Sequence, residues 1–413
     1  MSSFVSWIEK CFPQGDVLRQ MSDYQNDFSG EEWKNTNLSV LFKTNFVLPG
    51  SYLEISRPAL YFTDYLNVVF VNGVYSESLS DLVFEKNIVI GGAKTVLSRD
   101  NDNSIRSYLD KLDVIKNPFQ KLNSTIAQDM AVILLGKNQV IDKPIHIMFV
   151  TTQCDPPVMT CPKILIALEE GSNCTVIESH FGESQATYFS NSSTSLEIND
   201  SSKINYYRLL LQGDNSFHLG TVNVDLKANA SIESTFFSKG SKLSRTELNV
   251  LMNGSYSECR INGLYHTVDA QHIDSVINID HLVPNTKSNL IYKGILEGNS
   301  RASYSGKVFV AQGAQKTYAL QSDKNLILSD KARVNTKPIL EIFADDVECF
   351  HGATAGAISE DALFYLMSRG IDKKSATTIL VEAFASETID GITPDAIRQC
   401  LYGILLNSKS VLV

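Results

Sequence analysis

Hydrophobic positions change their rhythm several times along the 413 residues of this chain. Near the N-terminus Val17, Leu18, Met21, Tyr24 and Phe28 recur at helix-compatible spacing. Ser29-Gly-Glu-Glu-Trp33 follows, a candidate N-cap with acids in the first turn. Tyr65–Tyr75 is rich in Val, Tyr and Phe around Asn72-Gly73, a dipeptide that favours a hairpin turn. Ser104–Asp129 returns to helical spacing and is interrupted by Pro118, which predicts two short helices rather than one. From Met130 to Cys349 the rhythm shortens. Ile145–Thr151, Ile164–Leu168, Cys174–Ser179, Ile204–Leu211, Val222–Leu226, Ile232–Ser238 and Ser257–His266 alternate with Gly, Asn, Ser and Asp. No strongly amphipathic helix intervenes, so the pattern excludes βαβ units and predicts an all-β core.

Turns followed by a small residue recur in this zone. The small residues are Cys174, Ser202, Ala230, Ser255, Ser300 and Ala332, spaced 28, 28, 25, 45 and 32 apart. Most spacings suit one coil of a β-solenoid, whose coils cover one another's faces and edges. On this pattern alone a β-sandwich or jelly roll stays open. Beyond His351, Ala353–Gly356 reads as a small-residue joint to three helices. Ser359 caps the first, two acids follow, Leu363, Phe364, Leu366 and Met367 are its apolar surface, and Arg369-Gly370 closes it. Half or more of that surface is expected in the helical domain's own core. Ala376, Ile379, Leu380, Ala383 and Phe384 stripe the second helix, and Thr393-Pro394-Asp395 opens the third. The expected division is a mostly helical region at 1–129, a β core at 130–352 and a helical domain at 353–413.

Composition narrows the function classes. Hydrophobic residues make up 43%, which excludes wholesale disorder. Lys+Arg is 36 against 46 Asp+Glu, a net charge of −10. That balance, with no Lys/Arg cluster, argues against nucleic-acid and polybasic membrane contacts. No uncharged apolar run approaches the ~18 residues of a membrane span. Met1–Phe12 carries Glu9 and Lys10 inside its apolar stretch and does not read as a signal peptide. Seven cysteines, at 11, 154, 161, 174, 259, 349 and 400, are odd in number and sparse. They read as free thiols in a reducing cytosol.

Phosphate-loop, nucleophile-elbow and zinc-helix motifs are missing from the sequence. Cys154, Cys161 and Cys174 fit no metal spacing and read as buried strand residues. Asp345-Asp346 is a carboxylate pair, but neighbours on a strand face opposite ways. Val347-Glu-Cys349-Phe-His351-Gly352 is sharper. On a strand, Cys349 and His351 share one face while Phe350 points the other way into a core. A thiolate and an imidazole on one face can share iron or zinc. The plain reading of the pair remains structural. The other six histidines, at 146, 180, 218, 266, 272 and 281, are scattered and read as satisfied or surface residues.

These residues carry a resemblance. Asp280-His-Leu-Val-Pro-Asn-Thr-Lys-Ser288, Tyr292-Lys-Gly294, Ser305-Gly-Lys307, Ala314-Gln-Lys-Thr317 and Asn325-Leu-Ile-Leu-Ser329 are its first part. Lys337-Pro-Ile-Leu-Glu-Ile342, Asp345–Thr354 and Leu363–Ile371 continue it, so it covers about 280–385. Glu31-Glu-Trp33 and Val71-Asn-Gly73 echo it near the N-terminus. Together they resemble the SufB/SufD family of iron–sulfur cluster assembly scaffolds. The Cys-x-His-Gly-Ala-Thr form and the chain length point to its SufD branch.

The resemblance implies a mainly β fold, a right-handed parallel β-helix core flanked by N-terminal and C-terminal helical regions. It implies a non-enzymatic cytoplasmic scaffold that joins SufB at the C-terminal end of its β-helix. The SufC ATPase would dock on the helical tail around Leu363, Phe364, Tyr365 and Arg369. His351 would serve cluster assembly at the SufB junction as a transient metal ligand, with Cys349 beside it. No cofactor is implied in the isolated chain, only a transient iron–sulfur cluster in the complex. Phe350 departs from the family, where many relatives have a small residue. Three alternatives stay open: a homodimer when the chain is alone, a SufB-like scaffold carrying the nascent cluster itself, and a β-helix carbohydrate-active enzyme.

Overall fold

Parallel pairing at a nearly fixed offset organises the chain. The computed structural model describes residues 3–13, 16–21, 28, 30–50, 54–100, 104–109, 117–152 and 155–406. Tyr24, Ser29, Cys154 and the side chain of Leu18 lie outside the described residues. Lys203 of the strand Lys203–Leu211 sits opposite Asn173, 30 residues earlier, and opposite Ser231, 28 residues later. The chain thus winds through two facing sheets, coil upon coil. One sheet runs from Val74–Tyr75 and Leu66–Val71 through Ile145–Thr151 to Thr317–Ile327 and Val347–Gly356. The other runs from Val83–Glu85 and Ile88–Gly92 through Lys163–Leu168 to Arg301–Val310 and Arg333–Ile342. Antiparallel pairs occur only at the N-terminal start. A sandwich is excluded, and the mainly β solenoid expectation holds.

The irregular 45-residue spacing has a simple cause. Cys174, Ser202, Ala230 and Ser255 lie at the starts of strands in the first sheet, whereas Ser300 and Ala332 precede strands of the second. The gap joins two different corners. The Asn72-Gly73 hairpin forms as expected, with φ of 49° and 83° between Leu66–Val71 and Val74–Tyr75. These strands belong to the solenoid sheets although they precede residue 130. Pro118 starts the helix Pro118–Ile126, capped by Asn117. At the far end the final strand continues through Ala353–Gly356, where a joint was expected.

Side chains between the sheets form two lanes. The apolar lane takes the entering half of first-sheet strands, as at Val176 and Ile204, and the leaving half of second-sheet strands, as at Val224 and Ile279. Cys174 and Cys259 lie in that lane, and burial pushes their thiols up to about 12. The other lane is polar in the middle coils, on the leaving half of first-sheet strands and the entering half of second-sheet strands. Glu178 and Arg208, fully buried, pair at 2.9 Å. The Glu178 carboxylate also accepts from Tyr206, from Thr194 at 3.0 Å and meets His180 at 2.6 Å. Arg208 donates to Ser192 at 2.7 Å and faces His218 at 3.2 Å. Burial alone would raise the Glu178 carboxyl, but Arg208 and these donors hold it well below the usual range. Burial, reinforced by Arg208, keeps His218 neutral. A Cβ at Gly220 would meet Arg208 Nη2 and Ser192 Oγ at 2.6 Å, so only glycine leaves room for the guanidinium.

Outer faces are covered at both termini. Phe4, Trp7, Trp33, Phe46 and Phe119 form an aromatic cluster over Phe189, Phe217 and Leu243 of the second sheet. The helices Lys373–Ile389 and Asp395–Leu406 cover Tyr207, Leu209, Phe237 and Ile295 of the first. They are pinned there by Lys293, which reaches Phe384 O at 2.8 Å and Glu387 at 2.5 Å. Tyr207 and Thr393 meet at 3.1 Å. Among the described residues no helix is long and apolar enough to cross a membrane.

Breaking the Glu178–Arg208 pair leaves an uncompensated buried charge. Arg208→Met should lower the free energy of unfolding by about 3–5 kcal/mol. The double variant Arg208→Met/Glu178→Gln should recover much of that loss. Urea unfolding of the two variants measures both, and equal losses would refute the pairing account.

Candidate functional site

The solenoid ends in two free edges. Among the described residues, Val347–Gly356 pairs only with Thr317–Ile327, and Arg333–Ile342 only with Arg301–Val310; both are last in their sheets. Side chains that are buried in earlier coils are therefore uncovered here. In the final strand Cys349 lies opposite Ala319 and His351 opposite Gln321. Ala319 and Gln321 are buried and face the other sheet, since Gln321 Nε2 donates to Tyr304 at 3.1 Å and to Gly306 O at 3.0 Å. Residues paired in register point the same way. Cys349 and His351 thus share the inward face of the uncovered coil, as their spacing predicts.

His351 is exposed, while Cys349 is half-buried beside Val308, Val310 and Ala319. Burial raises the Cys349 thiol, partly offset by a backbone hydrogen bond with Ala319. The expectation for Phe350 is corrected. It does point the other way, but no core meets it: it is 52% exposed, 6.2 Å from the Tyr318 ring. Phe343, 62% exposed, lies against Phe309 on the neighbouring edge. The end is therefore rimmed with apolar rings. Asp345 and Asp346 sit in the turn before the final strand rather than on a strand, and Asp346 pairs with Lys316.

Beneath His351 lies a polar floor that the motif reading missed. Asp323, fully buried on the Gln321 face, accepts from Asn325 at 2.7 Å, and Tyr265 donates to Asn325. Burial pushes the Asp323 carboxyl up to about 6, with Thr336 and Asn325 pulling it back only in part. The signal was present in the alternation Ala319, Gln321, Asp323, Asn325, which puts three polar side chains on one inward face. Among the described residues, no three or more His, Cys, Asp or Glu side chains converge to hold a metal ion.

The helix Glu360–Ser368 forms as the Ser359 cap predicts, and Gly370 ends it at φ 85°. Its burial does not follow the expectation. None of its residues is buried: Leu363 and Leu366 are half-buried, and Phe364 is 73%, Tyr365 58% and Met367 43% exposed. Arg369 lies over the Tyr365 ring at 5.1 Å. The small size of the tail explains this. The other two helices turn Val381, Ala385, Ile389, Ile397 and Leu401 to the solenoid, and packing against the second helix only half-covers Leu363 and Leu366.

Fold and site define a two-sheet β-solenoid with an uncovered terminal coil and an exposed apolar helix. Comparison with known proteins gives the family. The SUF system FeS cluster assembly SufBD core domain matches residues 149–384, and the SufBD protein N-terminal region matches 25–147. An iron–sulfur cluster assembly SufBD family protein of Synechocystis is 30% identical over 389 residues, 90% of this chain and 85% of that one. Iron–sulfur cluster assembly protein SufD of Escherichia coli is 29% identical, covering 89% of this chain and 86% of its own. The chloroplastic protein ABCI7 of Arabidopsis thaliana is 29% identical over 81% of this chain and 72% of its own. The chain belongs to the SufBD family of the SUF iron–sulfur cluster assembly system.

Asp323 gives this end a pH dependence. Its folded pKa of about 6 lies above the ordinary 3.8, so the folded protein keeps this proton longer than the unfolded chain. Stability from this group is fully present at low pH and is lost as pH rises from about 4 to 6, by up to about 3 kcal/mol. Asp323→Asn should flatten that fall and melt higher than the parent at pH 7. Thermal unfolding at pH 4.5 and 7 measures it; an unchanged pH slope would show that Asp323 ionises freely.

Proposed function

We propose that this chain is a non-enzymatic scaffold subunit for iron–sulfur cluster assembly, joined through its open coil to a second solenoid of the SufB type. The observation that carries the proposal is the placement of His351: exposed, on the inward face of an edge strand with no successor. A second solenoid adding its own terminal strands would satisfy the free N–H and C=O groups and cover Phe343 and Phe350. His351 and Cys349 would then face ligands from the partner. A neutral imidazole binds iron, and the nascent cluster is cargo rather than a resident cofactor. Cys349 is the weaker member, since burial disfavours its thiolate. With too few converging donors of its own, the described chain supports a shared site over one it carries alone.

The tail would carry the ATPase. Phe364, Tyr365, Met367 and Arg369 form an exposed aromatic surface of the kind that anchors interfaces. SufC is the partner proposed for it. The other two helices are pinned to the solenoid through Lys293 and Tyr207, so a pull on the tail would reach the sheets that end at His351. The cytoplasm is the compartment proposed for this work. The same free edges favour self-pairing when the chain is alone.

Two substitutions separate the two surfaces. His351→Ala should abolish cluster assembly in a strain depending on this chain, while co-purification with SufB and SufC persists. Phe364→Asp should weaken SufC binding about thirtyfold and leave the SufB contact intact. Full cluster assembly with His351→Ala would sink the site assignment, and undiminished SufC capture with Phe364→Asp would sink the docking assignment.

A further inference from the structure

One outward register column on the second sheet changes character along the solenoid. Phe189, Phe217, Leu243, His272, Arg301 and Arg333 stand opposite one another on successive coils. The first three are buried under the N-terminal aromatic cluster. Where that cover stops, the column turns polar at His272 and cationic at Arg301 and Arg333. Directly opposed like charges on neighbouring strands repel. The Arg301 side chain forms no hydrogen bond or ion pair with a described residue; only its backbone is engaged, donating to Gln271 O at 2.9 Å. Arg333 donates to the backbone carbonyls of Asp330 and Ala332 and to no described carboxylate.

A cleft of about 360 Å³ lies over this stretch. Its far wall is the N-terminal arm, which brings Lys34 and Asn35, and Asn335 completes the rim beside Arg333. No carboxylate and no Phe, Tyr or Trp ring lines it. Two nearby acids are engaged: Asp274 is held by Arg245, Thr36 and Ser303, and Glu31 reaches Lys337 at 3.3 Å as well as Lys34 at 3.7 Å. On a chain of net charge −10 this is a local concentration of unmatched positive charge.

We propose that this cleft binds a multivalent phosphate-type oxyanion. Guanidinium forks and amide N–H groups match phosphate oxygens in geometry and charge. The lining matches the charged group and offers no carboxylate that would repel it. Its two walls belong to different parts of the chain. Asn335 Nδ2 donates to Asn35 Oδ1 at 3.1 Å across the gap, so a bound anion ties the arm to Arg333–Ile342, the strand whose outer edge is free. The site is an effector site that stiffens the open coil, independent of what docks there.

Pyrophosphate titrated calorimetrically into the full chain, at constant ionic strength, tests this. Saturable binding is expected, weakened about tenfold by Arg301→Ala and by Arg333→Ala and unchanged by Lys227→Ala, which lies outside the cleft. Both arginine variants should melt no lower than the parent, because each removes like-charge repulsion. Bound pyrophosphate should slow backbone hydrogen exchange across residues 333–342. Absence of saturable binding, equal loss in the Lys227 variant, or binding without protection of that strand would each overturn the proposal.

Discussion

Parallel stacking is the constraint on which the rest depends. A coil of about 30 residues completes its hydrogen bonds only when the next coil lies on it, and it covers its inward side chains the same way. That rule makes the interior stable and makes the last coil incomplete. The chain does not resolve the defect itself. Both terminal regions fold onto the outer faces of the sheets, the aromatic cluster on one and two helices on the other. The end stays open, and the residues of chemical interest stand there.

The interior serves more than bulk burial. Its polar lane links successive coils through groups with specific partners, as Glu178 has Arg208 and Gln321 has Tyr304. A coil displaced by one position would break such pairs and strand buried charge, at a cost of several kcal/mol. The lane therefore acts as a register key in a fold whose apolar lane would accept many alignments. Towards the open end it thins to Asp323, which has no buried cation to hold it ionised.

Local rules made part of the site legible. The two-residue spacing of Cys349 and His351 sufficed to put them on one face, because strand alternation is set by the pleat. The Asn72-Gly73 hairpin and the Ser359 cap were legible for the same reason: each depends on neighbours within a few residues. Phe350 was not. Its direction followed from alternation, but its burial depended on a coil that does not exist. Leu363 and Phe364 failed alike, since an apolar stripe says which face wants cover and not whether cover remains. The small-residue run Ala353–Gly356 looked like a joint by composition, yet the ladder of Thr317–Ile327 offered it backbone partners and drew it into the strand.

What the sequence determined by itself was the alternation of its segments, their turns and caps, the coil-length spacing and the resemblance carried by residues 280–385. These are short-range properties, or patterns that survive without coordinates. The tertiary structure decided which edges are left unpaired, which apolar faces find cover and which distant residues stand together. His272, Arg301 and Arg333 are 29 and 32 residues apart in the chain, and only the register of three coils puts them side by side. Proximity across coils depends on the sum of every turn between them, and no local pattern encodes that sum.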